Sequence, residues 1–258
     1  MVSYAHSWGG VLIGFTTLFI LGVVLSFAWI GLTESTHSDG EGSERDSSIP
    51  SRTNGLIYAL IGGLLGARLI FTALHLPYYN KNPNEIIALW QGGLSATGGM
   101  IGAILGAITL TWRSRRHLWI ILDDIAIPAL ILTMTAWIGS WLDGVAYGRQ
   151  VPFEWTWLMN SDPFRGQIAR WPTQMVGLLL SLIAFLFLFR VSSQLPQGMM
   201  SALSGALIAL ILTIVGVFRA DPSMLLMGQR LDVLAPALLT IIGFGVASYR
   251  WHKATNLR

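Results

Sequence analysis

The chain contains no cysteine and few charged residues for its length. The absence of cysteine excludes disulfides, thiolate nucleophiles, iron–sulfur clusters and thiolate zinc sites. Only 11% of the 258 residues are Asp, Glu, Lys or Arg, whereas a soluble domain carries about 25%. So few charges cannot cover the surface of a soluble protein of this size, which excludes soluble enzymes, disordered proteins and coiled coils. Nucleic acid is not predicted as a partner, because the basic residues are scattered apart from one short cluster, Arg113, Arg115 and Arg116.

Apolar residues make up 53% of the chain and are gathered into long runs. A helix needs about 20 apolar residues to cross the hydrocarbon core of a bilayer. Backbone polar groups in lipid must be satisfied within their own segment, so these runs are predicted to be helices. The sequence therefore predicts an all-α, polytopic integral membrane protein with a single membrane domain over residues 1–258. The seven predicted transmembrane helices cover residues 9–31, 56–76, 86–111, 118–141, 173–190, 200–218 and 231–249.

The distribution of Lys and Arg between the connecting segments predicts the orientation. One side of the membrane carries about nine of these residues and the other about six. The positive-inside rule then places the N-terminus outside and the C-terminus in the cytoplasm. Residues 33–53 are predicted to form a flexible, acidic, Ser/Gly-rich cytoplasmic loop. Residues 142–172 contain several aromatic residues and are predicted to form a loop or cap at the outer face.

Two features inside the predicted spans are candidates for function. The third span contains six glycines within residues 92–106, which predicts either close helix packing or a broken or bared helix whose free backbone N–H groups face a polar headgroup. Arg68 lies near the middle of the second span, where an arginine needs a partner or a cavity. It is expected either to pair with Asp123, Asp124 or Asp143 or to bind phosphate through its planar fork of donors. Thr97, about 16 Å into the third span, is expected at a depth similar to that of Arg68.

Several segments, in this order, resemble the bacterial prolipoprotein diacylglyceryl transferase family. The resemblance covers nearly the whole chain after residue 55. The matching segments are LLGARLIF (64–71), PNEIIALWQGGLSATGGMIGA (83–103), DGVAYGRQVPFEW (143–155), ARWPTQMVG (169–177), VFRADP (217–222) and MGQRLDVLAPAL (227–238).

The resemblance implies a reaction between a membrane lipid and a protein in the bacterial cytoplasmic (inner) membrane. The family transfers the diacylglyceryl group of phosphatidylglycerol to the lipobox cysteine of a prolipoprotein, and glycerol phosphate leaves. The implied partners are a phospholipid, most simply phosphatidylglycerol, and a prolipoprotein; no cofactor and no metal are implied. The residues implied to bind the lipid and its phosphate are Arg68, Gly92, Gly93, Ser95, Gly98, Gly99, Arg149, Arg170 and Arg219.

The chain departs from the family at the positions that carry the chemistry. Thr97 stands where the family has a histidine, and threonine does not titrate near neutral pH and cannot act as its base. Trp137 and Leu212 stand where the family has arginines, and Gly177 replaces a glutamate. The other departures are Ala136, Ser140, Asp143, Val145, Val176 and Gly216.

Two hypotheses about function remain open after the sequence analysis. In the first, the chain is a catalytically degenerate family member that acts as a lipid-binding structural subunit, with other membrane proteins as partners. In the second, it is an active but diverged phosphatidylglycerol–prolipoprotein diacylglyceryl transferase in lipoprotein biosynthesis. No residue is assigned a catalytic role in the first hypothesis, and His75 is the candidate for a relocated base in the second.

Overall fold

The computed structural model describes residues 13–38, 50–112, 117–151, 159–161 and 167–256. The helices are α1 (Ile13–Ser38), α2 (Arg52–Leu74), α3 (Leu76–Tyr79), α4 (Ala96–Leu110), α5 (Leu118–Asp124), α6 (Ala126–Leu142), α7 (Thr173–Val191), α8 (Met199–Phe218) and α9 (Leu231–Thr255). Short 3₁₀ turns lie at Pro83–Ile87, Leu89–Gln91 and Ser192–Gln194. Strands β1 (Met159–Ser161) and β2 (Gln167–Ala169) form one antiparallel hairpin, and β3 (Leu225–Leu226) and β4 (Gln229–Arg230) form another.

Within the described residues, six helical segments are long and apolar enough to cross a membrane. They are Gly14–Thr33, Arg52–Leu74, Leu118–Leu142, Thr173–Gln194, Met199–Phe218 and Leu231–Thr255. This finding confirms the predicted helical, polytopic class, to which the structure adds the two small β-hairpins. The predicted number of seven full spans is not reproduced. The third predicted span, 86–111, is helical only over Ala96–Leu110, and its 15 residues extend about 22 Å, less than the apolar core of a bilayer.

The third span is broken because its first part contains residues that favour a turn and a helix start. Gly92 and Gly93 adopt φ of +79° and +72°, a conformation that glycine tolerates and that does not continue a right-handed helix. Ser95 then begins α4, and its hydroxyl accepts a hydrogen bond of 3.1 Å from the Gly98 amide. The sequence offered a broken helix as one alternative for this glycine-rich segment, and the structure places the break at Gly92 and Gly93.

Helices α2 and α4 pack with their backbones in contact through glycine. A Cβ on Gly102 would lie 2.1 Å from the Gly62 carbonyl oxygen, and one on Gly106 would lie 2.1 Å from the Tyr58 carbonyl oxygen. A Cβ on Gly98 would lie 2.6 Å from the Gly66 carbonyl oxygen. These three glycines of α4 therefore confirm the close-packing interpretation of the glycine-rich segment.

Carboxylates fix both ends of the helix bundle. Asp143, just after α6, accepts hydrogen bonds from the amides of Gly14 (3.0 Å) and Phe15 (2.6 Å) at the start of α1. At the other end, Asp124 pairs with Arg52 at 3.1 Å, and Asp123 accepts a hydrogen bond of 2.8 Å from the Ser201 amide in α8. These contacts supply acceptors for helix N-termini that have no partner within the helix.

We call the end of the bundle that contains Asp143 and the β3–β4 hairpin the hairpin end. Helix α1 begins there, whereas α9 finishes at the opposite end, where Arg250 donates to the Gln197 carbonyl at 2.7 Å. The first and last described helices thus begin and finish at opposite ends of the bundle. The direction of these ends across the membrane stays a prediction.

The two predicted connecting segments are described only in part. Helix α1 continues through Ser38 and α2 begins at Arg52, so the predicted loop 33–53 is helical at both of its ends. Residues 39–49 lie outside the described residues. In the predicted cap 142–172, the structure describes 142–151, the two strands of the β1–β2 hairpin and 170–172. Its location at the outer face stays a prediction.

Candidate functional site

Arg68 is a structural anchor for the segment that precedes α4. The side chain is 5% exposed, and its Nε donates to the Ile86 carbonyl at 2.7 Å. Nη1 donates to the carbonyls of Gly92 (2.7 Å) and Gly93 (3.0 Å). Nη2 donates to the Glu85 carbonyl and to the Ala88 carbonyl at 3.4 Å. An arginine has five N–H donors, and all five are therefore occupied by backbone oxygens.

This bonding differs from the ion pair that was expected for Arg68, and phosphate binding by Arg68 stays a prediction. Its partners are carbonyl groups of residues 85–93 rather than Asp123, Asp124 or Asp143, which bind other helices. No donor is left for a phosphate unless the segment 85–93 moves. Gly92 and Gly93, predicted to bind lipid, instead offer their carbonyls to Arg68. The sequence could not show this arrangement because backbone acceptors leave no trace in residue identity.

Thr97 lies near the level of Arg68 along the bundle, as expected, but it is the second residue of α4 and does not follow about 16 Å of helix. The Ser95 amide donates to the Ala67 carbonyl at 3.0 Å, which places the start of α4 at the level of Arg68. The side chain of Ser95 caps the Gly98 amide, and the Gly99 amide bonds to the Ser95 carbonyl at 2.8 Å. The predicted lipid-binding residues Ser95, Gly98 and Gly99 therefore use these groups to start the helix.

His75, the candidate relocated base, ends α2. Its Nδ1 lies 2.9 Å from the Phe71 carbonyl oxygen, and its ring stacks on Phe71 with the centroids 4.2 Å apart. Because a carbonyl only accepts, Nδ1 carries the proton and Nε2 is the basic nitrogen. The ring is thus held in one orientation by a local bond to its own helix, as expected for an interfacial histidine.

Three arginines predicted to bind phosphate, Arg149, Arg170 and Arg219, are brought together at the hairpin end. Residues 148–150 pair with Arg219 on one side and with Arg170 on the other through antiparallel bridges. The Arg149 amide donates to the Phe218 carbonyl at 3.0 Å, and the Arg149 carbonyl accepts from the Trp171 amide at 2.9 Å. Arg68 is not part of this bridged layer.

The side chains of these three arginines differ in what they contact. Arg219 donates to Asp221 through Nε at 2.8 Å and also through Nη2. Arg170 donates to the Gly148 carbonyl at 3.3 Å and lies over the Tyr147 ring, 4.5 Å from its centroid. Arg149 is exposed, and its guanidinium makes no hydrogen bond or ion pair within the described part of the chain. Arg149 is therefore the one of the three that is immediately available to an anion.

The positions where the family has charged residues lie in an apolar cluster. Trp137 is 6% exposed, and a Cβ on Gly177 would lie only 2.4 Å from its indole ring. Leu212 packs against the same cluster, together with Met100 of α4. The buried members are Ile127, Leu130, Ile131, Trp137, Ala146, Ala184, Leu188, Ile208, Ile211 and Val215. The Trp137 indole thus fills the space that a side chain at position 177 would need. Because the two positions are 40 residues apart, the sequence could not reveal this contact.

Polar residues on the rim of this cluster bind the chain just after α6. Thr173 is buried and donates to the Ala146 carbonyl at 2.7 Å, and Gln174 donates to the Val145 carbonyl at 2.8 Å. The retained Gln174 therefore anchors the start of α7. The Trp137 indole Nε1 is buried and has no hydrogen-bond partner among the residues that the structure describes. These residues contain no group of three His, Asp or Glu side chains placed to hold a metal ion.

The six long apolar helices and the paired carboxylates at both ends of the bundle define a multi-pass membrane protein. The family profile of prolipoprotein diacylglyceryl transferase matches residues 7–249, so the chain belongs to this family.

Individual relatives agree with this assignment. The chain is 30% identical over 167 residues to a protein of Nitrosospira multiformis, covering 64% of this chain and 55% of that protein. It is 28% identical over 220 residues to one of Methylobacillus flagellatus, covering 84% and 77% respectively. It is 32% identical over 167 residues to one of Bordetella parapertussis, covering 64% and 60%. Each of these proteins is named phosphatidylglycerol–prolipoprotein diacylglyceryl transferase.

Proposed function

We propose that the chain is a phospholipid-binding member of the prolipoprotein diacylglyceryl transferase family that does not transfer the diacylglyceryl group. The observation that carries the proposal is the contact between Trp137 and Gly177 inside an apolar cluster that also holds Leu212. The transfer needs a base for the thiol and positive charge for the departing phosphate. Thr97, which lies near the level of Arg68, cannot act as the base. The apolar cluster contains no charged side chain that could stabilise the departing phosphate.

In this proposal the chain holds lipid on a framework made of three parts. They are the α2–α4 packing, the anchor at Arg68 and the bridged layer at the hairpin end. Arg149 presents at that end an exposed guanidinium that pairs with no group among the residues that the structure describes, and a phosphodiester headgroup would lie there. The chain would then act by binding lipid or by supporting other membrane proteins, as a subunit rather than as an enzyme.

A second candidate is an active transferase, which the family match and the names of the relatives favour. His75 would be its base through Nε2, and Arg149 would hold the phosphate. Phosphatidylglycerol and a prolipoprotein would be its substrates. In this candidate the base acts from a different position, because His75 lies at the end of α2 whereas Thr97 stands where the family has its histidine.

We expect the purified chain to form no diacylglyceryl-peptide in nanodiscs that contain phosphatidylglycerol and a lipobox peptide. The variant Thr97→His should also be inactive, because the missing arginines leave phosphate departure unassisted. Each lost preorganised contact costs about 10²–10³ in rate. The intact mass of the peptide is the readout, and the Methylobacillus flagellatus relative is the positive control.

The same samples distinguish binding from transfer. Native mass spectrometry should find phosphatidylglycerol retained on the unmodified chain while the peptide stays unmodified. Product from the unmodified chain would contradict the proposal and favour the second candidate. Loss of that product in His75→Ala, with normal retention of lipid, would assign the base to His75.

A further inference from the structure

The connection between α8 and α9 is a tight β-hairpin with an apolar tip. Strands β3 and β4 pair Leu225 with Arg230 and Leu226 with Gln229, which leaves Met227 and Gly228 as a two-residue turn. Both turn residues have positive φ, +51° for Met227 and +77° for Gly228, as a type I′ turn requires. Glycine and asparagine favour this conformation, and methionine does not. An apolar residue in a strained backbone conformation points to a role outside the local fold.

The tip, residues 224–227, is exposed although all four of its side chains are apolar. The exposed fractions are 40% for Met224, 63% for Leu225, 51% for Leu226 and 96% for Met227. Single apolar side chains on a surface are ordinary, whereas a contiguous set marks a contact with a partner or a membrane. These four residues contribute little to the packing of the chain itself.

The hairpin is held rigidly below its tip. Arg230 donates to Asp232 through Nε at 3.0 Å and Nη2 at 2.8 Å, and Nη2 also pairs with Asp221 at 3.3 Å. The Nη1 of Arg230 donates to the Arg219 carbonyl at 2.9 Å, and Arg219 pairs with Asp221. We call Arg219, Asp221, Arg230 and Asp232 the ion-pair base. The hydrogen bonds that Arg230 donates to Asp232 raise the pKa of the Arg230 guanidinium, which stays charged.

The ion-pair base balances its own charges, with two arginines against two aspartates. A balanced group offers no net charge to a charged peptide, so the apolar tip is the part of the hairpin that a partner would contact. The two helices that the hairpin joins also expose apolar side chains near it. Val217 and Phe218 of α8 and Leu234 and Leu238 of α9 are exposed apolar residues on either side of the hairpin.

The length of the connection keeps the tip near the membrane. The hairpin follows directly on the ends of two membrane-crossing helices, Phe218 of α8 and Leu231 of α9. On the α9 side only residues 228–230 separate Met227 from Leu231. At about 3.3 Å per residue, the tip therefore lies at most about 13 Å from the start of α9. The interfacial region of a bilayer lies within this distance.

We infer that the tip inserts into the interfacial region of the bilayer at the hairpin end and anchors the α8–α9 connection to lipid. The occupant of the apolar surface is the phospholipid of the membrane itself. Flexible methionine and leucine side chains suit contact with acyl chains, and the ion-pair base lies at the level of the headgroups. This anchor does not depend on transferase activity or on its absence.

The absence of cysteine from the chain makes the test direct. Met227→Cys and, as a second site, Leu226→Cys are labelled with an environment-sensitive fluorophore in nanodiscs that hold one copy each. Lys81→Cys is the matched control, because Lys81 is also exposed and lies between Asn80 and Asn82 beyond the end of α2. Lipids that carry a spin label just below the headgroup serve as the quencher.

We expect blue-shifted emission and at least twofold stronger lipid quenching at positions 226 and 227 than at position 81. Water-like emission without lipid quenching at both tip positions would overturn the inference. A blue shift seen only in nanodiscs with several copies would also overturn it, because a second copy of the chain would then be the occupant.

Discussion

Replacing Gly102 with leucine is expected to abolish stable folding of the chain. The Cβ alone would lie 2.1 Å from the Gly62 carbonyl oxygen and 2.9 Å from the Gly66 Cα, and both are backbone atoms that cannot turn aside. Helices α2 and α4 would have to separate along the whole glycine interface. Overpacking costs about 1–3 kcal/mol when side chains can adjust, and we expect more than about 4 kcal/mol here. Reversible unfolding in mixed detergent micelles measures the effect.

Gly205 in α8 provides the matched control for this experiment, because a Cβ at that position meets no atom within 4 Å. Gly205→Ala should be neutral or stabilising by up to about 1 kcal/mol, since alanine favours helix over glycine. Gly102→Ala, which gains the same helix propensity, should destabilise the protein. Equal effects of the two alanine substitutions would show that α2 and α4 do not approach closely.

The second large effect concerns Trp137 and Gly177. We expect Trp137→Arg alone to destabilise the protein by about 3–5 kcal/mol, because it places an unpaired charge in an apolar cluster. Gly177→Glu alone should destabilise it by a similar amount, since a Cβ there would lie 2.4 Å from the indole. In the double variant the indole is gone and the two new charges face each other. Its cost should be smaller than the sum of the single costs by about 1–3 kcal/mol.

Trp137→Phe is the control for loss of indole volume. When it is combined with Gly177→Glu, the only departure from additive costs should come from relief of the clash, because phenylalanine brings no charge. The free energy of unfolding of all variants is measured under one condition. Additive costs in the arginine–glutamate double variant, within about 0.5 kcal/mol, would mean that the two positions do not share one space.

The sequence predicted the membrane class of the fold because long apolar runs are a property of composition and length. It also placed Thr97 and Arg68 at one level, but the calculation assumed a continuous helix from residue 86, whereas α4 begins only at Ala96. The prediction of a continuous third span was wrong. The first ten residues of that span are largely apolar, and only Gly92, Gly93 and Ser95 indicate that the helix is interrupted. Those residues act through backbone conformation and capping, which an average over a window of residues does not capture.

The lipid-binding and phosphate-binding residues named from the sequence stay predictions, and the bonding of Arg68 was not predicted. The sequence indicates that Arg68 is a cation within a span and predicts a carboxylate or a phosphate as its partner. Its five acceptors are main-chain oxygens of residues 85–93, which the identity of those residues does not reveal. Asp143 likewise stands where the family has an asparagine, and its capping of α1, from 129 residues away for Gly14, depends on tertiary structure.

The measurement that tests the central claim most directly is complementation of a bacterium depleted of its own diacylglyceryl transferase. The unmodified chain is expressed to the level of the Methylobacillus flagellatus relative, and lipidation is read from the electrophoretic mobility of a reporter lipoprotein. We predict that the relative restores growth and the mature lipoprotein, whereas this chain is present in the membrane and restores neither. Growth with a lipidated reporter, supported by the unmodified chain alone, would contradict the claim that it does not transfer the diacylglyceryl group.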